Sequence, residues 1–179
     1  MLFRSVPETF GLPLEAVQVL CPQKKGVLGT IELNKALRPV LNPKGKPIHG
    51  MPYQTGDRVI QTKNNYDLDI FNGDIGTVMG LSEGRSRLVV EFEDITGPKL
   101  VEIPPSNLDE LQPAYALTVH KSQGSEFPCV IMPVHSTNHI MLKRNLLYTA
   151  VTRARNMIVL VGTMKAVGTA IRTLDSSTR

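Results

Sequence analysis

The stretch GDRVIQTKNNYDLDIFNGDIGTVMGL, residues 56–81, decides the fold. Arg58 to Thr62 and Ile75 to Leu81 are short runs rich in β-branched residues, and Asn72-Gly73-Asp74 ahead of the second is a turn signal. Two more runs follow, Leu88 to Phe92 and Lys99 to Ile103, set apart by Ser82-Glu83-Gly84 and Thr96-Gly97-Pro98. Short strands at about ten-residue spacing predict a small barrel rather than a layered α/β unit. Pro104-Pro105 is read as its close.

On either side of this stretch the pattern changes. Ala16 to Cys21 reads as a strand ended by Pro22, and after Gly26 and Gly29, Thr30 can cap a helix whose apolar face uses Leu33, Leu37, Val40 and Leu41. Asn42 to Pro47 then reads as an exposed linker. From Pro113 the α/β style returns. Cys129 to Val134 is a predicted strand, and Leu142 to Arg155 a helix with Leu147, Ala150, Val151 and Ala154 on one stripe. Asn156 ends that helix, Met157 to Val161 is a predicted buried strand, and a last helix is predicted from about Met164 to Leu174. The expected frame is α/β, with residues 1–50 and 113–179 forming one domain and 51–112 inserted as a β-barrel.

Charge follows the same cut. Residues 1–50 hold 7 basic and 3 acidic side chains, 51–112 hold 5 and 11, and 113–179 hold 8 and 2, which sums to the net +4 of the 179-residue chain. An acidic insert between two basic segments hints at a polyanion partner for the outer parts. No apolar run approaches the ~18–20 residues of a membrane span, and no leader is evident behind Met1, so a soluble, cytoplasmic protein with no membrane partner is expected. Cys21 and Cys129 lie in apolar runs and are expected to be buried, reduced thiols.

Three segments could carry chemistry. TVHKSQGSEF (118–127) gathers polar and small residues between an expected short helix and a strand. There Gly124 would admit a phosphate or sugar close to the backbone, and Glu126 could accept from a ribose hydroxyl; a solvated connection is the plain alternative. YTAVTRAR (148–155) carries Arg153 and Arg155, which on a regular helix point in nearly opposite directions. One is then expected to reach a ligand while the other pairs with a helix end or solvent, unless both are ordinary surface arginines. Pro22-Gln23-Lys24-Lys25-Gly26 places two lysines at a strand exit, where they could meet a phosphate.

Other arrangements are poorer. His135 and His139 have helical metal-ligand spacing but lack the intervening glutamate, and Pro133 argues against helix there. A nucleophilic pair of Cys129 with His120 or His135 has no supporting local signature. Aromatic residues are only 5% and Trp is absent, which argues against a broad base-stacking platform. No G-x-x-x-x-G-K-[ST] phosphate loop occurs, so the chain alone is not expected to hydrolyse a nucleoside triphosphate.

The segments together resemble a known family. TVHKSQGSEF is similar to motif V, and LYTAVTRAR (147–155) to motif VI, of superfamily 1 helicases in the form found in exodeoxyribonuclease V alpha (RecD-like) subunits and conjugative relaxase helicases. VQVLCPQKKGVLGTIELN (17–34) resembles the motif IV region. GDRVIQTKNN and FNGDIG (56–65, 71–76) resemble the SH3-like insertion 2B. The resemblance covers nearly the whole chain and implies a RecA-like domain 2A interrupted by a 2B barrel.

It further implies that Arg153 is an arginine finger, and that Gln123, Gly124, Ser125 and Glu126 line the nucleotide. Lys24 or Lys25 would stand where relatives often carry arginine toward the γ-phosphate, with Lys25 the candidate nucleotide contact. Thr118, His120 and Lys121 would touch single-stranded DNA, and Arg155 would be structural. ATP and Mg2+ are implied for a full-length 5′–3′ helicase, whose Walker A lysine and Mg2+ ligands belong to a preceding RecA-like domain 1A. The chain is thus expected to be a C-terminal fragment, with single-stranded DNA, domain 1A and other exodeoxyribonuclease V subunits as partners. The competing expectation is a non-catalytic adaptor: an SH3-like barrel on an α/β platform that binds protein or nucleic acid. Nuclease chemistry lacks a carboxylate cluster in the sequence.

Overall fold

Apolar continuity along Val17–Cys21 and Phe127–Val134 has a direct structural consequence, because strands that alternate little are buried on both faces and belong to parallel sheets. The computed structural model describes residues 8–84, 86–94, 97–135 and 143–173. They form two units, one from residues 1–35 and 116–179, the other from 36–115.

In the first unit four parallel strands lie in the order β7-β1-β8-β9, with β1 Val17–Cys21, β7 Ala116–Thr118, β8 Phe127–Val134 and β9 Ala154–Gly162. Leu20, Cys21, Cys129, Val130, Ile131 and Met132 are wholly buried at its centre. Helix α1, Thr30–Leu41, is tied to β7 by Asn34, whose side-chain amide donates to the Ala116 carbonyl and accepts from the Ala116 N–H, both at 2.9 Å. Helix α2 spans Arg144–Val151 and α3 spans Met164–Arg172. Thr163 caps α3 by accepting from the Ala166 N–H at 3.2 Å.

Two expectations change here. The helix predicted over 142–155 ends at Val151, and Ala154-Arg155-Asn156 already belong to β9. Pairing of Ala154 with Phe127 on β8 outweighs the helical stripe, and Val151, counted in that stripe, is 42% exposed. Leu142 and Leu174, the expected outer ends of two helices, lie outside the described residues. β9 is half-buried rather than buried, since it lies at the edge of the sheet.

The second unit is an antiparallel sheet in the order β5-β4-β3-β2-β6, with β2 Arg58–Gln61, β3 Ile75–Leu81, β4 Leu88–Asp94, β5 Gly97–Ile103 and β6 Leu111–Pro113. Val59, Ile70, Val78, Leu88, Val90, Phe92 and Ile103 fill its core. The alternating burial of β4 sends Leu88, Val90 and Phe92 inward, as period-two strands require. Pro104-Pro105 does not close the unit. A 3-10 turn over Pro105–Glu110 leads into β6, which returns to pair with β2, placing Leu111 opposite Gln61.

The unit is also wider than residues 51–112. Asn42 to Pro47 is not a loose linker: Thr55 N donates to Lys46 O at 3.0 Å, Lys46 N to Thr55 Oγ1 at 3.1 Å, and Asn42 Nδ2 to Thr55 O at 2.9 Å. Asp57, only 3% exposed, gathers the surrounding chain. Its carboxylate accepts from Arg38 Nε at 3.0 Å, from Arg38 Nη2, from Asn42 Nδ2 at 3.1 Å, and from Gln54 N and Tyr115 OH at 2.8 Å each.

Candidate nucleotide and nucleic-acid site

Residues 119–126 connect two parallel strands, β7 and β8, so the segment follows a strand rather than the short helix expected before it. Val119 N donates to Cys21 O at 3.0 Å and carries the β1–β7 pairing one residue further. The chain then coils tightly: Ser122 N donates to Thr118 O at 3.2 Å, Gln123 N to His120 O at 3.3 Å and Ser125 N to Ser122 O at 3.1 Å. Ser122 is fully buried, and its hydroxyl donates to Val119 O at 2.8 Å. Gly124 has φ +90°, and a Cβ there would meet nothing within 4 Å, so its backbone angle and not crowding calls for glycine. This coil leaves His120, Lys121, Gln123, Gly124 and Glu126 exposed and Thr118 and Ser125 half-buried.

The far end of the loop is pinned by the segment after α2. Arg153 O accepts from Phe127 N at 2.8 Å. The Arg153 guanidinium donates from Nη1 to Ser125 O at 3.2 Å and from Nη2 to Thr152 Oγ1 at 3.4 Å, and its buried Nε has no partner. Arg155 Nε pairs with Glu126 Oε2 at 3.0 Å, with both side chains more than half exposed. Arg153 and Arg155 therefore do not diverge as they would on one helix. One sits in a turn and the other in β9, and both reach the same loop. Glu126, expected to meet a sugar hydroxyl, faces Arg155. No sequence signal foretold that pair, because the two residues lie far apart in the chain and only β8–β9 pairing brings them together.

Lys24 and Lys25 are exposed in the connection from β1 to α1. That turn is held by Gly29 N donating to Gly26 O at 2.8 Å, Thr30 N to Gln23 O at 3.2 Å and Ile31 N to Lys24 O at 3.3 Å. Strand register puts both lysines past the C-terminal end of β1, where Thr118 ends β7. Phe127 and Arg153 meet instead at the N-terminal ends of β8 and β9. The contacts thus bring Ser125 and Glu126 to Arg153 and Arg155; they do not join Lys25 to the Arg153 group. Burial, together with the charge of Lys24, holds Lys121 below the usual lysine range.

The thiols are buried and free. Burial pushes the Cys21 thiol up to about 12 and raises that of Cys129. His135 is exposed at the end of β8, while His139 lies outside the described residues. Among the described residues no three His, Cys, Asp or Glu side chains converge on a metal position, and no helix is long and apolar enough to cross a membrane.

Residues 113–161 match the model of the UvrD-like helicase C-terminal domain, and residues 33–92 match that of the ATP-dependent RecD-like DNA helicase SH3 domain. The ATP-dependent RecD2 DNA helicase of Deinococcus radiodurans is 44% identical over 153 residues, which are 84% of this chain and 21% of that protein. The RecBCD enzyme subunit RecD of Mycobacterium tuberculosis is 30% identical over 158 residues, 88% of this chain and 27% of that one. The chain thus spans about a fifth to a quarter of the length of these relatives. A Bacteroides Pif1 helicase solved with ADP-AlF3 and ssDNA matches with a TM-score of 0.56 over 87% of this chain and 42% of its own, at 18% identity. The structure of two coordinating Pif1 helicases at forked dsDNA also gives 0.56, over 94% of this chain and 44% of its own, at 19% identity. These structural likenesses bear on the fold, α/β with a RecA-like sheet and an SH3-like insertion. Over the length it spans, the chain belongs to the RecD-like family of superfamily 1 DNA helicases, as its C-terminal region.

Proposed function

We propose that this chain is the C-terminal region of an ATP-dependent helicase that moves 5′ to 3′ on single-stranded DNA in the cytoplasm. Residues 1–35 and 116–179 serve as domain 2A, and residues 36–115 carry domain 2B. The nucleotide lies between domain 2A and a RecA-like domain 1A of the same polypeptide, which supplies the Walker A lysine and the Mg2+ ligands. When bound, Mg2+ neutralises phosphate charge. This chain supplies Arg153, and exodeoxyribonuclease V subunits are further candidate partners.

The observation that carries this reading is the state of the Arg153 guanidinium. Its two bonds go to a carbonyl and a hydroxyl, which are uncharged, and its buried Nε has no partner. An always-ionised planar group fixed in a partly desolvated place suits the charge that develops on a transferring phosphoryl group. Arginine fingers of this kind contribute about 10³–10⁵ in rate in phosphoryl-transfer enzymes. Glu126 and Gly124, on the same loop, fit the sugar and phosphate side of the nucleotide, with Gln123 and Ser125 beside them. At the start of the loop, Thr118, His120 and Lys121 fit the DNA backbone. One short, internally bonded loop therefore links the two ligands, so closure on ATP changes the grip on DNA. Contacts to the backbone give little sequence preference and a steep salt dependence.

Titrating the 179-residue chain with fluorescent oligo-dT at low and moderate salt, beside an ATPase assay, tests the reading. Weak, salt-sensitive binding without turnover supports it. Turnover by this chain alone contradicts it, and absence of binding at low salt favours a non-catalytic adaptor.

A further inference from the structure

Two arginines and a carboxylate converge where the 118–127 loop enters β8. Phe127 is the register partner of Ala154, and Phe127 N donates to Arg153 O at 2.8 Å. Phe127 is buried, so the residues flanking this pair, Glu126 before Phe127 and Arg153 and Arg155 around Ala154, turn to the opposite side, as period-two alternation requires. Arg153 Nη1 donates to Ser125 O at 3.2 Å, one residue from Glu126, and Arg155 Nε donates to Glu126 Oε2 at 3.0 Å. The carboxylate thus stands beside two guanidinium groups and is bonded to that of Arg155. The two side chains of this pair are 64% and 52% exposed, and an ion pair so open to water adds little to stability. Its consequence lies in where it holds the carboxylate.

We infer that Arg155 is a positioning residue that keeps Glu126 off Arg153. This role rests on Arg153 being the finger proposed above. Arg153 is held by a carbonyl and a hydroxyl, and hydrogen bonds to an ionised acceptor are roughly twice as strong as those to neutral ones. A carboxylate released at position 126 therefore draws Arg153 away from Ser125 O and Thr152 Oγ1. The charge of the finger is then neutralised by its neighbour, and the phosphoryl group loses it. Glu126 serves the sugar side of the nucleotide from the same loop, so a carboxylate has to sit beside the finger without pairing with it. Arg155, ionised at every working pH, does this by occupying Oε2 from the first turn of β9.

A double-mutant cycle on ATP turnover by the full-length protein, with saturating oligo-dT, tests this role. Arg155→Ala is expected to lower kcat about tenfold, the factor set by one charge-assisted bond that must break before the finger is released. In a Glu126→Gln background, whose own KM for ATP is expected to rise, adding Arg155→Ala should change kcat by less than about twofold, because the competing charge is gone. Arg155→Lys, which keeps a cation on Glu126, should restore most of the loss. Binding of ADP with aluminium fluoride, a phosphoryl mimic that needs no turnover, should weaken by the same factor in Arg155→Ala and not further in the double variant than in Glu126→Gln. Thermal unfolding of Arg155→Ala is expected to match the parent protein, and Arg155→Gln, which keeps the apolar stem, carries the same test if the alanine variant melts early. Equal losses on Arg155→Ala in both backgrounds overturn the positioning role in favour of a purely structural one. Unchanged kcat in Arg155→Ala, with turnover abolished by Arg153→Ala, overturns it and leaves the finger standing. Near wild-type turnover in Arg153→Ala removes the finger reading and this role with it.

Discussion

Replacing Asp57 with asparagine is expected to lower the melting temperature of the 36–115 unit sharply while leaving the parallel sheet intact. Asp57 is 3% exposed and accepts from five donors, the Nε and Nη2 of Arg38, Asn42 Nδ2, Gln54 N and Tyr115 OH. Asparagine keeps the shape but offers one acceptor oxygen, and its NH2 must face groups that are themselves donors. Removing one partner of a buried ion pair costs about 3–5 kcal/mol. The Arg38 side chain is 32% exposed and can turn partly to water, which favours the lower end, about 3 kcal/mol. In a unit of this size each kcal/mol moves the midpoint by roughly 4–8 °C, so a fall on the order of 15 °C follows. The assay is near-UV circular dichroism on heating. Tryptophan is absent, and Tyr53, Tyr66 and Tyr115, three of the four tyrosines, lie in this unit. A fall of less than about 3 °C would refute the reasoning that Asp57 holds residues 38–58 and Tyr115 together.

Alkaline conditions probe the same unit by another route. Burial, and then the charge of Asp57, push Tyr53 up to about 12 against the pull of Arg38. The unfolded tyrosine loses its proton near 10 while the folded one keeps it, so the unfolded state binds fewer protons and stability falls as pH rises from 10 to 12. A urea midpoint flat across that window would contradict this. With its thiol pushed to about 12 by burial, Cys21 is expected to resist a thiol reagent at pH 8 until the chain is denatured, as is buried Cys129. Immediate reaction of both thiols in the folded chain would show that β1 and β8 are not the closed core described. Finally, a Cβ at Gly29 would lie 2.5 Å from the carbonyl oxygens of Lys24 and Lys25. Gly29→Ala is therefore expected to cost about 1–3 kcal/mol without changing any charge. Unaltered stability by urea titration would count against the packed form of this turn.

Much of the strand pattern could be read directly from the chain. Val17–Cys21, Ile75–Leu81 and the helix at Thr30–Leu41 follow from apolar period, which is local, although Gly29 and not Thr30 takes the cap position, its carbonyl accepting from Leu33 N. What the sequence hid was decided by partners distant in the chain. The three residues of β6 carry no strand signal of their own, and only β2 across the sheet makes them one. Asn42 to Pro47 looks like a linker because its residues are turn formers, yet Thr55 and Asp57 give their polar groups partners. The helix through Arg155 failed for a similar reason, with Phe127 drawing Ala154 into the sheet.

The candidate site was legible as residue types and order, not as contacts. Gly124 and Arg153 stand out by chemistry. The bond from Arg153 to Ser125 and the Arg155–Glu126 pair both depend on which strands lie side by side.

The central claim is that this chain lends an arginine to phosphoryl transfer on another domain. The most direct measurement is single-strand-stimulated ATP turnover by the full-length protein, wild type against Arg153→Ala, with oligo-dT binding followed in parallel. The account predicts that the variant loses about 10³-fold or more in turnover while binding DNA nearly as tightly as the parent. Turnover within a few-fold of wild type, with DNA binding retained, would contradict it.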